Sequence, residues 1–155
     1  MKDSFILQLE TMPKATAQMK RFNGNTRTYF KSKTLMETER IYRTLLAPHR
    51  PKAPSEGPIR LFIVLYFDKK SPKKLWGQYK ITRPDVDNFC KALIDQMTQV
   101  GFWMDDAQIA DLRIKKYYAE KASIFIEYEE VFKRGLRLLF SGSSETSDLP
   151  PSCFH

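Results

Sequence analysis

The sequence predicts an α+β fold in which two helices pack on a small mixed β-sheet. The strongest observation is a run of nine largely apolar residues at 59–67, which is typical of a central strand. Apolar residues at three- and four-residue spacings, from residue 34 to Pro48 and over 87–100, predict the two helices. Three shorter runs have strand character and complete the order strand, helix, strand, helix, strand, strand; they lie at 4–10, 109–118 and 122–130.

The first two elements are a short strand at 4–10 and a polar, basic segment at 11–33. Pro13 and the Asn23-Gly24 pair interrupt that segment, so it predicts a long surface loop that can hold a hairpin. The first helix follows from residue 34, and we expect it to stop at Pro48 because proline cannot continue a helix.

The strand at 59–67 is apolar on both faces, which leaves two interpretations open. Either the sheet is covered on both sides, or the second face enters a subunit contact. The second helix, at 87–100, ends at Gly101. We expect its buried side to consist of Phe89, Cys90, Leu93, Ile94, Met97 and Val100. The runs at 109–118 and 122–130 are separated by very few residues and therefore predict an antiparallel hairpin.

Length and composition indicate one ordinary globular domain, since the chain has 155 residues, 42% hydrophobic and 13% aromatic. We expect a domain at 1–132, followed by a flexible extension at 133–155 that is rich in Ser, Thr, Pro and Gly after Phe140 and has no packed core of its own. No apolar run reaches the roughly 20 residues that span a bilayer, and the N-terminal apolar segment is too short for a signal peptide. The expectation is therefore a cytoplasmic protein that does not bind membranes.

The formal charge of +8, from 26 Lys and Arg against 18 Asp and Glu, favours a polyanionic partner. Aromatic residues stand between the basic ones and could stack on bases. Nucleic acid is therefore the first candidate partner, although a solvated basic surface is the simpler alternative. The residues predicted to contact DNA are Arg21, Arg27, Lys73, Lys74, Lys80, Arg83, Lys115 and Lys116.

Cysteine and histidine are too few and too scattered to predict a zinc site. Cys90 lies inside a helical pattern and Cys153 near the end of the chain. The two histidines, His49 and His155, fall in a connector and in the extension, so we do not expect a histidine general base.

Aspartates gather at both ends of the second helix. Asp85 and Asp87 stand at its start, and Asp105 and Asp106 follow its end. Singly, each has a structural explanation: the first pair can cap the helix, and the second pair can form a turn. Asp87 also begins a ladder with Lys91 and Asp95 at four-residue spacing, which is a common solvent-exposed arrangement.

Together, these carboxylates would suit a divalent cation such as Mg²⁺ or Mn²⁺, which prefers oxygen ligands. A helix of 14 residues is about 20 Å long, so its two ends do not meet by themselves. They meet if the following strand runs back along the helix, if the helix is shorter, or if a second subunit closes the distance. Such a site beside a basic surface favours metal-assisted phosphodiester cleavage.

The stretch RPDVDNFCKALIDQM…GFWMDDAQIADLRIKK, at about 83–116, resembles the signature of RusA-type Holliday junction resolvases. The shared pattern is Asp-x-Asp-Asn, a lysine four residues after the second aspartate, a helix, and an Asp-Asp pair before a strand. The resemblance implies a RusA-like fold and a homodimeric, Mg²⁺-dependent endonuclease that nicks four-way DNA junctions in recombination and repair. A phage or prophage origin would fit this family.

By matching position, the resemblance also implies roles for individual residues. Asp85, Asp87 and Asp106 would be the essential metal-binding carboxylates, Lys91 the catalytic lysine, and Asp105 an assisting metal ligand. Two alternatives remain: a nuclease for other branched DNA, such as forks or flaps, and a non-catalytic nucleic-acid-binding protein whose aspartates are caps.

Overall fold

The protein is described by a computed structural model that covers residues 2–14, 20–25, 27–68 and 72–131. The extension expected at 133–155 lies outside these ranges, so the division of the chain near residue 132 remains a prediction.

Two helices and six strands make up the described part of the chain. The strands are β1 Lys2–Gln8, β2 Lys20–Asn23, β3 Thr28–Lys31, β4 Ile59–Phe67, β5 Ile109–Tyr118 and β6 Ser123–Glu130. The helices are α1 Lys33–Leu46 and α2 Val86–Val100, and short 3-10 turns occupy Ala47–His49, Lys73–Leu75 and Asp106–Gln108. Neither α1 nor α2 is long and apolar enough to cross a membrane.

The main sheet is mixed, and β4 lies inside it, which confirms the predicted α+β class. Its strand order is β1-β6-β4-β5. β4 pairs in parallel with β5 and antiparallel with β6, and β6 pairs antiparallel with β1. A separate β2–β3 hairpin, closed by the Asn23–Thr28 pair, lies in the basic segment at 11–33, where the sequence predicted a loop that can hold a hairpin.

The predicted hairpin between the last two strands is wrong, because β4 lies between β5 and β6. The connection at 119–122 instead crosses the end of β4, where the Ala119 N–H donates to the Phe67 carbonyl at 2.9 Å. Helix α2 acts as the crossover that makes β5 a parallel neighbour of β4. β6 then takes the other edge of β4. Alternation along a strand identifies its buried face but not its pairing partner.

The core lies between the sheet and the two helices. Alternate β4 residues, Ile59, Leu61, Ile63 and Leu65, are fully buried in one cluster with residues of both helices. The predicted buried side of α2 is confirmed: five of its six residues are buried, and Val100 packs against the core while partly exposed. This packing fixes α2 relative to β4, and thereby the aspartates at both of its ends.

The second face of β4 is covered in part by side chains of the same sheet. Val64 is 6% exposed, while the Phe62 ring contacts Phe125 edge-on with centroids 6.2 Å apart. Tyr66 stacks on Tyr117 at 5.9 Å. The central position of β4 is confirmed, and a subunit contact on this face remains a prediction.

Gly101 ends α2 in the left-handed conformation, with φ 96°. Its N–H donates to Met97 and Thr98 carbonyls, and the Phe102 N–H donates to Met97 as well. We expect Gly101→Ala to lower the free energy of unfolding by about 1–2 kcal/mol, the usual cost of an L residue in this conformation. Urea unfolding measures this change.

A matched control is Gly24→Ala. Among the residues that the structure describes, a Cβ added at Gly24 meets no atom within 4 Å, and Gly24 is not among the glycines with positive φ. Equal unfolding midpoints for the two variants would contradict the conformational explanation of Gly101.

Candidate active site

Asp85 lies at the N-cap position of α2, but its side chain does not cap the helix. The backbone there is extended, with φ −70° and ψ 137°, and the carboxylate accepts no capping hydrogen bond. Only the main-chain oxygen of Asp85 takes part, accepting the Phe89 N–H at 3.1 Å. The capping interpretation is therefore wrong for the Asp85 carboxylate, which is exposed, as is Asp87 in the first turn of the helix.

At the other end of α2, the two aspartates differ in what their side chains do. Asp105 accepts the Ala107 N–H at 2.7 Å and forms a capping box with Gln108. For Asp105, the structural interpretation as a turn residue is therefore confirmed. Asp106 begins the 3-10 turn and is exposed.

Gln108 fixes the turn that carries this aspartate pair. Its side-chain oxygen accepts the N–H groups of Met104 and Asp105, both at 2.9 Å. Its side-chain nitrogen donates to the carbonyls of Ser55 and Gly57 at 3.0 and 2.9 Å. All four hydrogen-bonding positions on the amide are used, so the turn is attached to the connector between α1 and β4.

A cavity of about 340 Å³ lies between α2 and β5. Its charged lining consists of Asp87, Lys91 and Asp95, which follow one another by one helical turn, and Asp106. The remaining lining residues are Cys90, Ile94, Ile109, Leu112 and Ile114. The strand after α2 thus runs back along the helix, and this brings Asp87 and Asp106 to the same cavity within one chain.

Not every predicted site residue lines that cavity. Asp85 and Asp105 lie outside its lining, although each is adjacent or nearly adjacent in sequence to a lining residue. Within the described parts of the chain, no three Asp, Glu, His or Cys side chains are close enough to hold a metal ion by themselves. Mg²⁺ is usually held by one or two carboxylates together with water and substrate phosphates, and Asp87 and Asp106 supply carboxylates of this kind to the cavity lining.

Asp95 is a cavity residue that the sequence reasoning assigned to a solvent-exposed ladder. It is half-buried, and burial raises the pKa of its carboxyl; Lys91 lowers this pKa, and Asp106 raises it. The same pKa is affected by Lys31 and Glu39, which form an ion pair at 2.7 Å between β3 and α1. The sequence did carry a signal for Asp95, namely its position two helical turns after Asp87, on the same helix face as Lys91.

Cys90 contributes a neutral thiol to the cavity. Burial raises the pKa of this thiol to about 12, with a further contribution from Asp87. A thiol that stays protonated at neutral pH is a poor nucleophile and a poor metal ligand. The cavity therefore offers carboxylate oxygens and one amine for chemistry, which suits a hard divalent cation.

The described lysines and arginines predicted to contact DNA fall into two groups. Lys80 is 8% exposed: its ammonium donates to the Thr82 hydroxyl and lies 5.4 Å and 5.1 Å from the Phe67 and Tyr118 ring centroids. Burial lowers the pKa of Lys80. Lys116 is also engaged, since it donates to the Thr82 and Pro84 carbonyls. The exposed group consists of Arg27, Lys73, Lys74, Arg83 and Lys115, and the Arg21 side chain lies outside the described part.

The sequence model of the family "Endodeoxyribonuclease RusA" matches residues 9–129, which is most of the chain. The chain belongs to the RusA family. The match includes both ends of α2, the whole of β5 and every residue that lines the cavity.

Individual RusA-family relatives differ in how much of them the chain covers. The chain is 35% identical over 135 residues to the crossover junction endodeoxyribonuclease rusA of Lactococcus phage r1t, covering 84% of this chain and 100% of that protein. The RusA crossover junction endodeoxyribonuclease of Escherichia coli K12 is 53% identical over 34 residues, which are 22% of this chain and 28% of that protein. An uncharacterized Bacillus subtilis protein, YqaN, is 30% identical over 93 residues, or 54% of this chain and 65% of that protein.

Proposed function

We propose that this RusA-family chain is a crossover junction endodeoxyribonuclease, which hydrolyses phosphodiester bonds at four-way DNA junctions during recombination and repair. The observation that carries the proposal is that Asp87, Lys91 and Asp106 all line the same cavity. The phage relative, matched over its whole length, carries this activity in its name, which supports the assignment.

Asp87 and Asp106 would hold the divalent ion, with Asp85 reaching it from just before the helix. Mg²⁺ is the proposed ion and Mn²⁺ an acceptable substitute, because both prefer oxygen ligands. When bound, such an ion supplies an activated water and neutralises charge on the phosphate. Soft metals are disfavoured, because the lining offers hard carboxylate oxygens and burial raises the pKa of its one thiol, Cys90.

Lys91 is the proposed catalytic lysine. It lies one turn from Asp87 and one turn from Asp95, so the three side chains follow one another on the α2 face that lines the cavity. A phosphate entering the cavity would meet the positive charge of Lys91 next to the carboxylate oxygens. Lys91 can then stabilise the negative charge that develops on the phosphate or on the leaving oxygen.

DNA affinity would come from the exposed basic residues, chiefly Lys73, Lys74, Arg83 and Lys115, through contacts to phosphates. We further propose a homodimer, because paired cuts on a two-fold symmetric junction require two active sites. We also propose a cytoplasmic location, which a DNA substrate of this kind supports.

The decisive experiment compares a labelled four-way junction with linear duplex, fork and flap of the same sequence, with and without Mg²⁺. We expect cleavage of the junction only when Mg²⁺ or Mn²⁺ is added, and little or no cleavage of the duplex. Products are resolved on denaturing gels so that the cut positions on opposite strands can be compared.

Equal cutting of duplex and junction would rule out a junction-specific enzyme. Preferred cutting of forks or flaps would identify a nuclease for other branched DNA. Tight junction binding without cleavage in either metal would leave a non-catalytic DNA-binding protein, with affinity that falls steeply as salt rises.

A further inference from the structure

The loop that leads into Asp85 is held by one lysine from β5. The Lys116 ammonium donates to the carbonyls of Thr82 and Pro84, both at 2.9 Å. The Lys116 main-chain carbonyl also accepts the Lys80 N–H at 3.0 Å. Main chain and side chain of Lys116 therefore bind the same segment, at 80–84, immediately before the first aspartate of the site.

Lys116 differs from the lysine beside it. Lys115 is exposed and extends to the other face of the sheet, where its ammonium lies 5.5 Å from the Phe62 ring centroid. Lys116 is half-buried and uses two of its three donors on main-chain carbonyls. Bonds from an ionised donor are among the strongest in proteins, so this contact is well suited to fix a loop.

Asp85 depends on such outside support. Its carboxylate accepts no capping bond from α2, so the position of the side chain is set by the main chain on either side. The helix fixes the C-terminal side, through the Asp85 carbonyl and the Phe89 N–H. Pro84, whose carbonyl binds Lys116, is the residue on the N-terminal side.

We propose that Lys116 is a positioning residue of the active site: by holding the Thr82 and Pro84 carbonyls, it places Asp85 relative to Asp87 and Asp106. This inference rests on the proposed function. It gives Lys116 a role other than the DNA contact predicted from the sequence. Displacing a reacting or ligating group by about 1 Å can lower the rate by about 100-fold. A small movement of the loop would therefore lower the rate of cleavage.

The test uses Lys116→Met, Lys116→Arg and the control Lys121→Met. Lys121 is an exposed lysine in the turn between β5 and β6, away from the cavity. Three quantities are measured on the full chain: the cleavage rate at saturating junction, the junction dissociation constant without metal, and amide hydrogen exchange in the DNA-free protein.

We expect Lys116→Met to lower the saturated cleavage rate by about 100-fold without changing the dissociation constant. Hydrogen exchange should become faster at Lys80 and Phe89, whose N–H groups donate to the Lys116 and Asp85 carbonyls on either side of the held segment, and remain unchanged in the rest of the sheet. Lys116→Arg should recover much of the rate, because guanidinium also offers several donors to two carbonyls. Lys121→Met should match the unmodified protein in all three measurements.

Three outcomes would overturn the inference. Wild-type cleavage by Lys116→Met would remove the positioning role, and weaker junction binding with an unchanged saturated rate would make Lys116 a DNA contact. Faster exchange throughout the sheet would indicate general destabilisation. If the unmodified protein cleaves no branched DNA, the proposed function fails, and the exchange measurement still decides whether Lys116 holds the loop.

Discussion

Asp87→Asn abolishes junction cleavage but leaves junction binding intact, if the cavity is the active site. Asparagine keeps the size and the position of the side chain but loses the charge that a divalent cation requires. Loss of a residue that merely supports a metal ligand costs up to about 100-fold, so loss of the ligand itself should cost more. Binding should be equal or tighter, because one negative charge no longer repels the phosphates.

The measurement pairs a single-turnover cleavage assay in Mg²⁺ with a gel-shift titration without metal. Asp111→Asn is the matched control, since Asp111 lies on β5 but pairs with Arg60 and Arg113 rather than lining the cavity. That variant should cleave normally. Normal cleavage by Asp87→Asn in Mg²⁺ would instead refute the proposed chemistry.

Lys91→Ala is expected to lower the saturated cleavage rate by about 100- to 1,000-fold, the range seen when one group that stabilises transition-state charge is removed. Junction affinity should change much less, because the proposed role of Lys91 arises as the bond breaks and many other exposed basic residues would still contact the DNA. The rate at saturating junction and the dissociation constant are measured separately, so that chemistry and binding can be distinguished.

Lys52→Ala provides the comparison, because Lys52 is an exposed lysine of the connector between α1 and β4 that lies outside the cavity. It should retain full cleavage. If Lys91→Ala weakened binding and left the saturated rate unchanged, Lys91 would belong to the DNA-contact surface instead of the catalytic site.

Local pattern predicted most elements of this fold. β4 and β5 occupy the predicted runs, and α2 begins one residue earlier than expected, at Val86. Pairing was harder to predict: the short link at 119–122 suggested a hairpin, whereas α2 had already placed β5 on one edge of β4. The apolar period of a strand records burial, and strand neighbours depend on connections across the whole sheet.

The candidate site was predictable in composition but not in geometry. The family resemblance singled out Asp85, Asp87, Lys91 and Asp106, and the structure brings the last three of these to one cavity. The sequence could not distinguish Asp105, whose carboxylate caps a turn, from Asp85, whose carboxylate accepts no capping hydrogen bond. Such differences depend on main-chain direction at single residues, which composition and periodicity do not encode.

The surroundings of Asp95 and Lys116 could not be predicted from the sequence for a related reason. Both belong to ordinary patterns, a charge ladder on α2 and a basic pair on β5. Their surroundings are set by distant segments, since Lys116 binds the loop at 82–84 and Asp95 interacts with groups from β3 and α1. Only the folded chain brings those segments together.

The four hydrogen bonds of Gln108 restrict how the connector at 51–58 can vary. Surface connectors usually tolerate added or deleted residues, because few contacts depend on their path. Here the Ser55 and Gly57 carbonyls bind the Gln108 amide, and the Gly57 N–H donates to Glu130 on β6 at 2.9 Å. A change in connector length would therefore alter the position of the turn that carries Asp106, about fifty residues further along the chain.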